Sequence, residues 1–211
     1  GMNTCGQCDV GKWSDVAAVY AGAYNTVGLT RDGRILNTGY QRWNTLAWRD
    51  VARLSVGDYA LCGVMENGQP LFTHNELTVD TYYDLVSLDA ATANSAGLKA
   101  DGTVVSNGLD VSGLNGILAI DCTPTGIYAL DDMGLVHARA FSWAHLPDVS
   151  DWRDIIYISA SATHVIGVTK DGRVLARGSS DMGQCETMDW ILFSPQPTEN
   201  PDDTPETTPA P

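Results

Sequence analysis

Residues 13–39, WSDVAAVYAGAYNTVGLTRDGRILNTG, decide the fold, because the same order of residue types recurs down the chain. The following copies begin 32 to 38 residues apart, and one more starts at Trp190 without continuing. Repeat units of this length that are rich in β-branched residues and turns favour short strands over the helix pairs of a solenoid. The five complete copies begin at Trp13, Trp48, Tyr82, Leu114 and Trp152.

Each copy contains a turn dipeptide that ends in glycine. Four of the five are Asp-Gly or Asn-Gly, which between apolar runs predict a two-residue hairpin loop of type I′, with positive φ at both central residues. Five hairpins are therefore expected. The dipeptides are Asp32-Gly33, Asn67-Gly68, Asp101-Gly102, Met133-Gly134 and Asp171-Gly172.

The strands that flank these turns show period-two alternation. Before each turn an aliphatic residue such as Leu29 follows a tiny one, Gly28, Gly63, Gly97, Ala129 or Gly167. We expect the tiny residues where the backbones of adjacent sheets crowd together. An earlier strand alternates apolar residues with the column Tyr20, Ser55, Asp89, Asp121 and Ser159. After the turn, Pro70 shares a column with Ile35, which predicts that the third strand is the outer edge of its sheet.

Three antiparallel strands per unit predict an all-β fold, a β-propeller of about five short three-stranded blades. A linear β-solenoid is the alternative, disfavoured because each unit closes a hairpin on itself. The blades form a closed ring, which we favour, or an arc of a longer array. The fourth unit has Leu114 and Gly116 where others have Trp and Asp, so we expect a distorted blade there.

The repeat divides the chain into three segments. Residues 1–12 are predicted to be the end of a preceding repeat or a closing strand, and residues 13–193 the propeller domain. Residues 194–211 carry six of the nine prolines, four carboxylates and no basic residue. That composition predicts a disordered acidic Pro/Thr-rich linker or stalk and favours a secreted or cell-surface protein.

Charge and hydropathy limit the partners. Twelve basic and 26 acidic side chains give a net charge of −14, which disfavours binding to nucleic acid and to anionic membranes. No apolar run is long enough to span a bilayer, so no direct membrane insertion is expected.

Two stretches carry a family resemblance, AGAYNTVGLTRDGRILNTG at residues 21–39 and SASATHVIGVTKDGRVLARGSSDMGQCETMDW at residues 159–190. They resemble the repeats of the regulator of chromosome condensation family, above all its short bacterial type, which includes propeller-type β-lactamase inhibitors. The resemblance spans residues 5–190. It implies a propeller fold but no single function, because such propellers serve as exchange factors, inhibitors, light sensors and adhesion modules.

No catalytic or metal-binding pattern emerges, so we predict no enzyme activity, no cofactor and no metal site. Cys5 and Cys8 form a lone C-x-x-C without the second pair that a tetrahedral zinc site needs. Cys62 and Cys122 fall in apolar strand columns and are interpreted as core. His164 shares its column with asparagines, which indicates a structural role.

Aromatic residues that break the repeat in the loops after the outer strand are the candidate binding residues. In a radial array, corresponding loops emerge on one face, and aromatic and arginine residues dominate protein interfaces. We therefore predict a protein-binding module of unknown partner. A carbohydrate-binding propeller that uses the same aromatics is the alternative. The predicted face consists of Tyr40, Arg42, Trp43, Phe141 and Trp143.

Overall fold

A computed structural model describes residues 3–40, 43–57, 60–73, 80–92 and 94–193. Five separate three-stranded sheets, here called blades 1 to 5 in chain order, contain all the strands in these residues. Their bounds are β1 Val16–Ala21, β2 Asn25–Thr30, β3 Ile35–Gly39; β4 Val51–Val56, β5 Leu61–Met65, β6 Pro70–Phe72; β7 Leu85–Ala90, β8 Ser95–Lys99, β9 Val104–Ser106; β10 Ile117–Thr123, β11 Gly126–Asp131, β12 Val136–Ala140; β13 Ile155–Ala160, β14 His164–Thr169, β15 Val174–Gly178.

Each blade is an antiparallel meander with an inner, a middle and an outer strand. In blade 1, Val19 of the inner strand pairs with Gly28, which pairs in turn with Leu36 of the outer strand. The same register and the same bulge near the start of the inner strand occur in all five blades. Pro70 begins the outer strand β6, so its missing N–H faces the sheet edge, as predicted.

The hairpin loops differ from the prediction. Thr30 N–H donates to Arg34 O and Gly33 N–H donates to Thr30 O, so the loop is residues 31–33 and contains three residues. Gly33 has φ 73°, whereas Asp32 is not among the residues with positive φ. The predicted type I′ turn is therefore wrong, and a type I turn followed by a left-handed glycine stands in its place. The middle loop position tolerates Met133 because it needs no positive φ.

Blade 4 is a complete sheet, and the predicted distortion is absent. The apparent departure at Gly116 has a backbone reason: Asp15, Asp50, Asp84 and Asp154 occupy the corresponding position with φ between 52° and 58°, and Gly116 has φ 62°. This column requires a left-handed residue, which glycine and aspartate supply at the smallest steric cost. The change from Asp to Gly therefore preserves the repeat.

The tiny column of the middle strand makes room for side chains. A Cβ placed on Gly167 would lie 2.6 Å from the Trp152 ring, and one on Gly28 would lie 2.8 Å from the Trp13 ring. On Gly97 it would meet Leu85 of its own blade. The expected crowding of neighbouring backbones is thus not the main cause at these three positions, because a side chain of the same blade fills the space.

Four hydrophobic clusters join successive blades and form the core. Val27 and Leu29 on the middle strand of blade 1 pack with Val51 and Leu54 of blade 2, and equivalent clusters join blades 2 and 3, 3 and 4, and 4 and 5. Within the described ranges, no such cluster joins blade 5 to blade 1. The apolar packing is therefore that of an arc rather than of the closed ring that we favoured from the sequence.

The two ends of the chain lie against the terminal blades. Residues 3–12 contain no strand, and the carbonyls of Gly6 and Gln7 accept hydrogen bonds from the Thr38 and Thr26 hydroxyls of blade 1. The expected closing strand is therefore not formed there. The predicted tail, residues 194–211, lies outside the described residues. None of the described residues forms a helix that could cross a membrane.

Candidate binding surface

The loops that leave each outer strand lie beside the loops that join inner to middle strands. In blade 1 the Tyr40 N–H donates to Tyr24 O at 3.1 Å, and in blade 4 the Phe141 N–H donates to Thr125 O at 3.0 Å. Because all five inner strands line one cavity and the strand order is the same in every blade, these loops emerge on one side of the molecule. We call this side the exit face.

Phe141 and Trp143 form a stacked pair on the exit face of blade 4. Their ring centroids are 5.6 Å apart and their planes differ by 5°. Phe141 is half-buried and packs against the cluster between blades 3 and 4, whereas Trp143 is 70% exposed. Phe141 thus anchors a large apolar ring that is presented to solvent.

A second aromatic pair lies on the exit face of blade 1. Tyr40 is 70% exposed and contacts Tyr24 edge to face, with ring centroids 6.4 Å apart. Arg42, the third predicted residue of this loop, lies outside the described residues. The exit face thus carries two separate aromatic sites rather than one continuous cluster, because blades 1 and 4 do not pack against each other.

Trp43 does not belong to the exposed face. It is 8% exposed and packs in the cluster between blades 1 and 2, where the side-chain amide of Asn37 donates to its carbonyl. The prediction of a surface role is wrong for this residue, because its indole lies in the core between blades 1 and 2.

Two exposed residues of the exit face were missed by the sequence reasoning. Tyr24 lies in the loop between the inner and middle strands, and Met182 lies almost fully exposed in the loop after β15. Position in the repeat could have identified both, since each sits in a loop at the same end of its blade. Methionine adapts to irregular partners, which suits a binding surface.

A cavity of about 760 Å³ runs between the five inner strands. The column of Tyr20, Ser55, Asp89, Asp121 and Ser159 contributes to its lining. Two of these side chains tie their blade to the next one. Asp89 accepts a hydrogen bond from Cys122 N–H at 2.5 Å, and Asp121 accepts one from Ala160 N–H at 2.8 Å. The carboxylates therefore satisfy backbone donors on the neighbouring strand.

Asp121 has an unusual protonation equilibrium. Burial, reinforced by the charge of Asp89, raises the pKa of Asp121 to about 8, and hydrogen bonds from Ala160 and Ser159 only partly oppose this. Two neighbouring carboxyls that share a proton cannot both ionise cheaply. Asp89 accepts hydrogen bonds from the Ser55 hydroxyl and from Cys122 N–H.

The surroundings of the cysteines and of His164 indicate structural roles. Cys62 and Cys122 are buried as predicted, and burial raises the pKa of both thiols. No three metal-ligating side chains converge within the described ranges. His164 lies at the start of β14 and exchanges a 2.8 Å hydrogen bond with the Ser161 hydroxyl. This contact secures the loop before the strand.

Comparison with known proteins bears on the repeat and on the fold. The sequence profile of the regulator of chromosome condensation (RCC1) repeat matches residues 155–184, which cover blade 5 and the start of its exit loop. The predicted resemblance in this region is confirmed. A search of curated protein sequences found no significant match.

Solved propellers resemble the whole arc. The CRINKLY WD40 ectodomain of the receptor kinase ACR4 from Arabidopsis thaliana is 14% identical with a TM-score of 0.66, and the alignment covers 87% of this chain and 72% of that one. The ectodomain of the receptor kinase CR4 from Physcomitrella patens is 16% identical with a TM-score of 0.61, covering 78% and 52%. Human WBSCR16 is 13% identical with a TM-score of 0.61, covering 85% and 66%.

At these identities the likeness concerns the fold alone, and the chain spans only about half to three quarters of the length of these proteins. The profile match and the five three-stranded sheets around one cavity agree with each other. The chain is therefore a β-propeller of five short blades that contains a regulator of chromosome condensation repeat.

Proposed function

We propose that this chain is a non-enzymatic protein-binding module whose exit face holds the partner. The observation that carries the proposal is the Phe141–Trp143 pair, in which an anchored ring supports a tryptophan that is 70% exposed. Tryptophan and tyrosine supply large contact areas at a low cost in side-chain entropy, so they dominate the binding energy of many protein interfaces.

The charge of the chain suggests the chemistry of the partner. A net charge of −14 speeds association with a basic surface and slows association with an acidic one. We therefore expect a basic protein, with an apolar side chain that packs on Trp143.

The non-enzymatic part of the proposal rests on the cavity. Its two half-buried carboxyls, Asp89 and Asp121, accept hydrogen bonds from backbone N–H groups of the next blade. Groups engaged in this way join strands.

Display outside a bacterial cell is the second part of the proposal. The acidic Pro/Thr composition of residues 194–211 favours a stalk. Protease treatment of intact source cells tests this: loss of the protein while cytoplasmic markers survive supports display, and full protection contradicts it.

Affinity capture with matched variants tests the binding face. Immobilised wild type, Trp143→Ala, Tyr40→Ala and Met133→Ala are exposed to source-cell and host extracts, and the bound proteins are quantified by mass spectrometry. Met133 is equally exposed but lies in a hairpin loop at the opposite end of blade 4, which makes it the control. We expect a protein retained by wild type and the control and lost from Trp143→Ala.

The candidate from the capture is then purified and titrated by calorimetry at two salt concentrations. We expect Trp143→Ala to weaken binding by about tenfold or more, which corresponds to the ~1–2 kcal/mol of an interface aromatic. Equal capture by all variants would contradict the proposal that the exit face binds the partner. Binding to a glycan array that is lost in Trp143→Ala, with no protein partner, would favour the carbohydrate alternative.

A further inference from the structure

The cavity between the five inner strands has an apolar opening. In blades 3, 4 and 5 the second residue of the inner strand is aliphatic, and these residues, Val86, Leu118 and Ile156, are 42% to 64% exposed. All three line the cavity together with Tyr157, which is 60% exposed. We call these four residues the apolar rim. Large apolar side chains that surround one opening and remain in contact with water indicate a site for an apolar group.

A pair of carboxyls lies deeper in the same cavity. Asp89 and Asp121 come three residues after Val86 and Leu118 on their strands, so roughly 10 Å separates the carboxyls from the apolar rim at the rise of a β-strand. Asp89 accepts a hydrogen bond from the N–H of Cys122, the residue next to Asp121, so the two carboxyls lie side by side between blades 3 and 4. We call them the carboxyl pair.

The charge of the cavity favours a cation. Among the described lining residues, the charged side chains are the carboxyl pair and Arg53, which is exposed on the inner strand of blade 2. Charges act strongly in a cavity that excludes much of the solvent. An ammonium group carries three N–H donors and no acceptor, so it can replace the proton that two neighbouring carboxyls share. The carboxyl pair is thus complementary to an ammonium group.

We propose that the cavity binds a primary alkylamine, with its ammonium group at the carboxyl pair and its aliphatic chain against the apolar rim. The volume of about 760 Å³ lies in the range of small-molecule sites. A chain of about eight carbons spans the roughly 10 Å between the carboxyl pair and the apolar rim. The site is separate from the exit-face aromatics, because neither Trp143 nor Tyr40 lines the cavity.

Binding at the carboxyl pair should depend on pH. Burial and the charge of Asp89 raise the pKa of Asp121 to about 8, and an alkylamine stays protonated to about pH 10. The ammonium group therefore displaces a proton below pH 8, and the affinity should rise by up to about tenfold per pH unit from pH 6 to pH 8. Burial raises the pKa of the neighbouring Cys62 and Cys122, so both thiols stay neutral in this range, and Arg53 stays charged.

Calorimetric titrations with four probes test the chemistry of the ligand. Octylamine, butylamine, octanol and octanoate are titrated into wild type at pH 8 in phosphate buffer, which contains no amine. We expect octylamine to bind, and octanol and octanoate to bind at least tenfold more weakly because they carry no ammonium group. Butylamine should also bind at least tenfold more weakly, since its chain is too short to cover the apolar rim.

A charge variant with a matched control tests the carboxyl pair. Asp121→Asn keeps the shape of the side chain and removes one carboxylate. We expect it to weaken octylamine binding at least tenfold and to abolish the rise between pH 6 and pH 8. Asp132→Asn makes the same change of net charge at an exposed residue of the blade 4 hairpin loop that does not line the cavity, so it should bind as wild type does.

An apolar variant tests the rim. Leu118→Asn changes a side chain that is 64% exposed, so the fold should persist, and circular dichroism verifies this. We expect octylamine to bind more weakly to Leu118→Asn while the affinity of butylamine changes little. Met133→Asn, at an exposed site outside the cavity, should leave both affinities unchanged.

Three outcomes would overturn the proposal. Failure of wild type to bind octylamine at millimolar concentration shows that the cavity does not take an alkylamine. Equal affinities for octylamine and octanol show that the carboxyl pair does not contribute to binding. Equal octylamine affinities of Asp121→Asn and Asp132→Asn show that the amine binds elsewhere on the acidic surface.

Discussion

Trp152 fills the space that a side chain on Gly167 would need. The ring lies on the small column of the middle strand, and the same relation holds between Trp13 and Gly28. Trp152 is nearly completely buried, so its ring has little freedom to move aside. The size limit on this column is therefore a packing constraint between one indole and one backbone.

We expect Gly167→Ala to lower the free energy of unfolding by about 1–3 kcal/mol, the usual cost of overpacking a filled core site. Gly11→Ala is the matched control, because a Cβ at Gly11 meets no atom within 4 Å. Urea denaturation of both variants measures the difference. Equal stability of the two variants would contradict the proposed role of the tryptophan.

Asp121 should make stability depend on pH. Burial and the charge of Asp89 raise its pKa to about 8 in the folded protein, whereas an unfolded aspartate titrates near about 4. Between these pH values the folded state therefore binds more protons than the unfolded state. The contribution of Asp121 to the free energy of unfolding falls as the pH rises from about 4 to about 8. Below about pH 4 the contribution is fully present.

Asp121→Asn should remove most of this dependence, because an amide stays neutral. Denaturant midpoints of wild type and Asp121→Asn between pH 4.5 and pH 8.5 measure the effect. The difference between the two proteins should shift in favour of the variant as the pH rises. A constant difference across this range would show that the aspartate is ionised in the fold at all of these pH values.

At the scale of the element, the hairpin loop determines which residues the repeat tolerates. The three-residue loop places only its last residue, such as Gly134 with φ 76°, in the left-handed region. That glycine also lies against the backbone of the next blade, since a Cβ there would be 3.1 Å from Asp154 Cα. One residue thus serves the turn and the junction between blades.

Substitutions in the blade 4 hairpin distinguish the observed loop from the predicted two-residue turn. In the observed loop, Met133→Gly gains no relief of strain and loses about 0.4–1 kcal/mol through the greater freedom of the unfolded chain. In a type I′ turn the same change would stabilise, because a left-handed methionine is strained. Thermal unfolding monitored by circular dichroism measures whether Met133→Gly raises or lowers the stability.

At the scale of the whole molecule, stability depends on which blades have neighbours. A blade in the middle of the arc packs against a neighbouring blade on both sides, whereas blade 1 shares a hydrophobic cluster only with blade 2 among the described residues, and its Val19 is 61% exposed. Repeat proteins gain much of their stability from such interfaces between neighbours. The same residue column should therefore respond differently to mutation along the chain.

We expect Leu88→Ala to destabilise the protein by about 2–5 kcal/mol, as for large-to-small changes in a core. Val19→Ala, in the same column of blade 1, should change the stability by less than about 0.5 kcal/mol. Both are measured by denaturation at a protein concentration where the chain is monomeric. A large loss in Val19→Ala would mean that blade 5 covers blade 1 in solution.

Much of the fold could be predicted from the repeat, and less of the candidate site. Strand order, the outer position of Pro70 and the buried cysteines follow from period and residue size, which are local properties of each unit. Trp43 shows the limit: its neighbour Tyr40 is exposed and Trp43 itself is core, although both lie in one loop that breaks the repeat. The path of an irregular loop depends on contacts with the next blade, which a single unit does not encode.

The amino-acid sequence by itself determined the number of blades, the three strands in each and the small column, because each results from steric and turn preferences that every copy repeats. Only the tertiary structure decided the hairpin type, the burial of Trp43, the Asp89–Asp121 pair and the exposure of Val19. These features depend on how one blade meets another. Identical columns therefore have different surroundings at the end of the arc and within it.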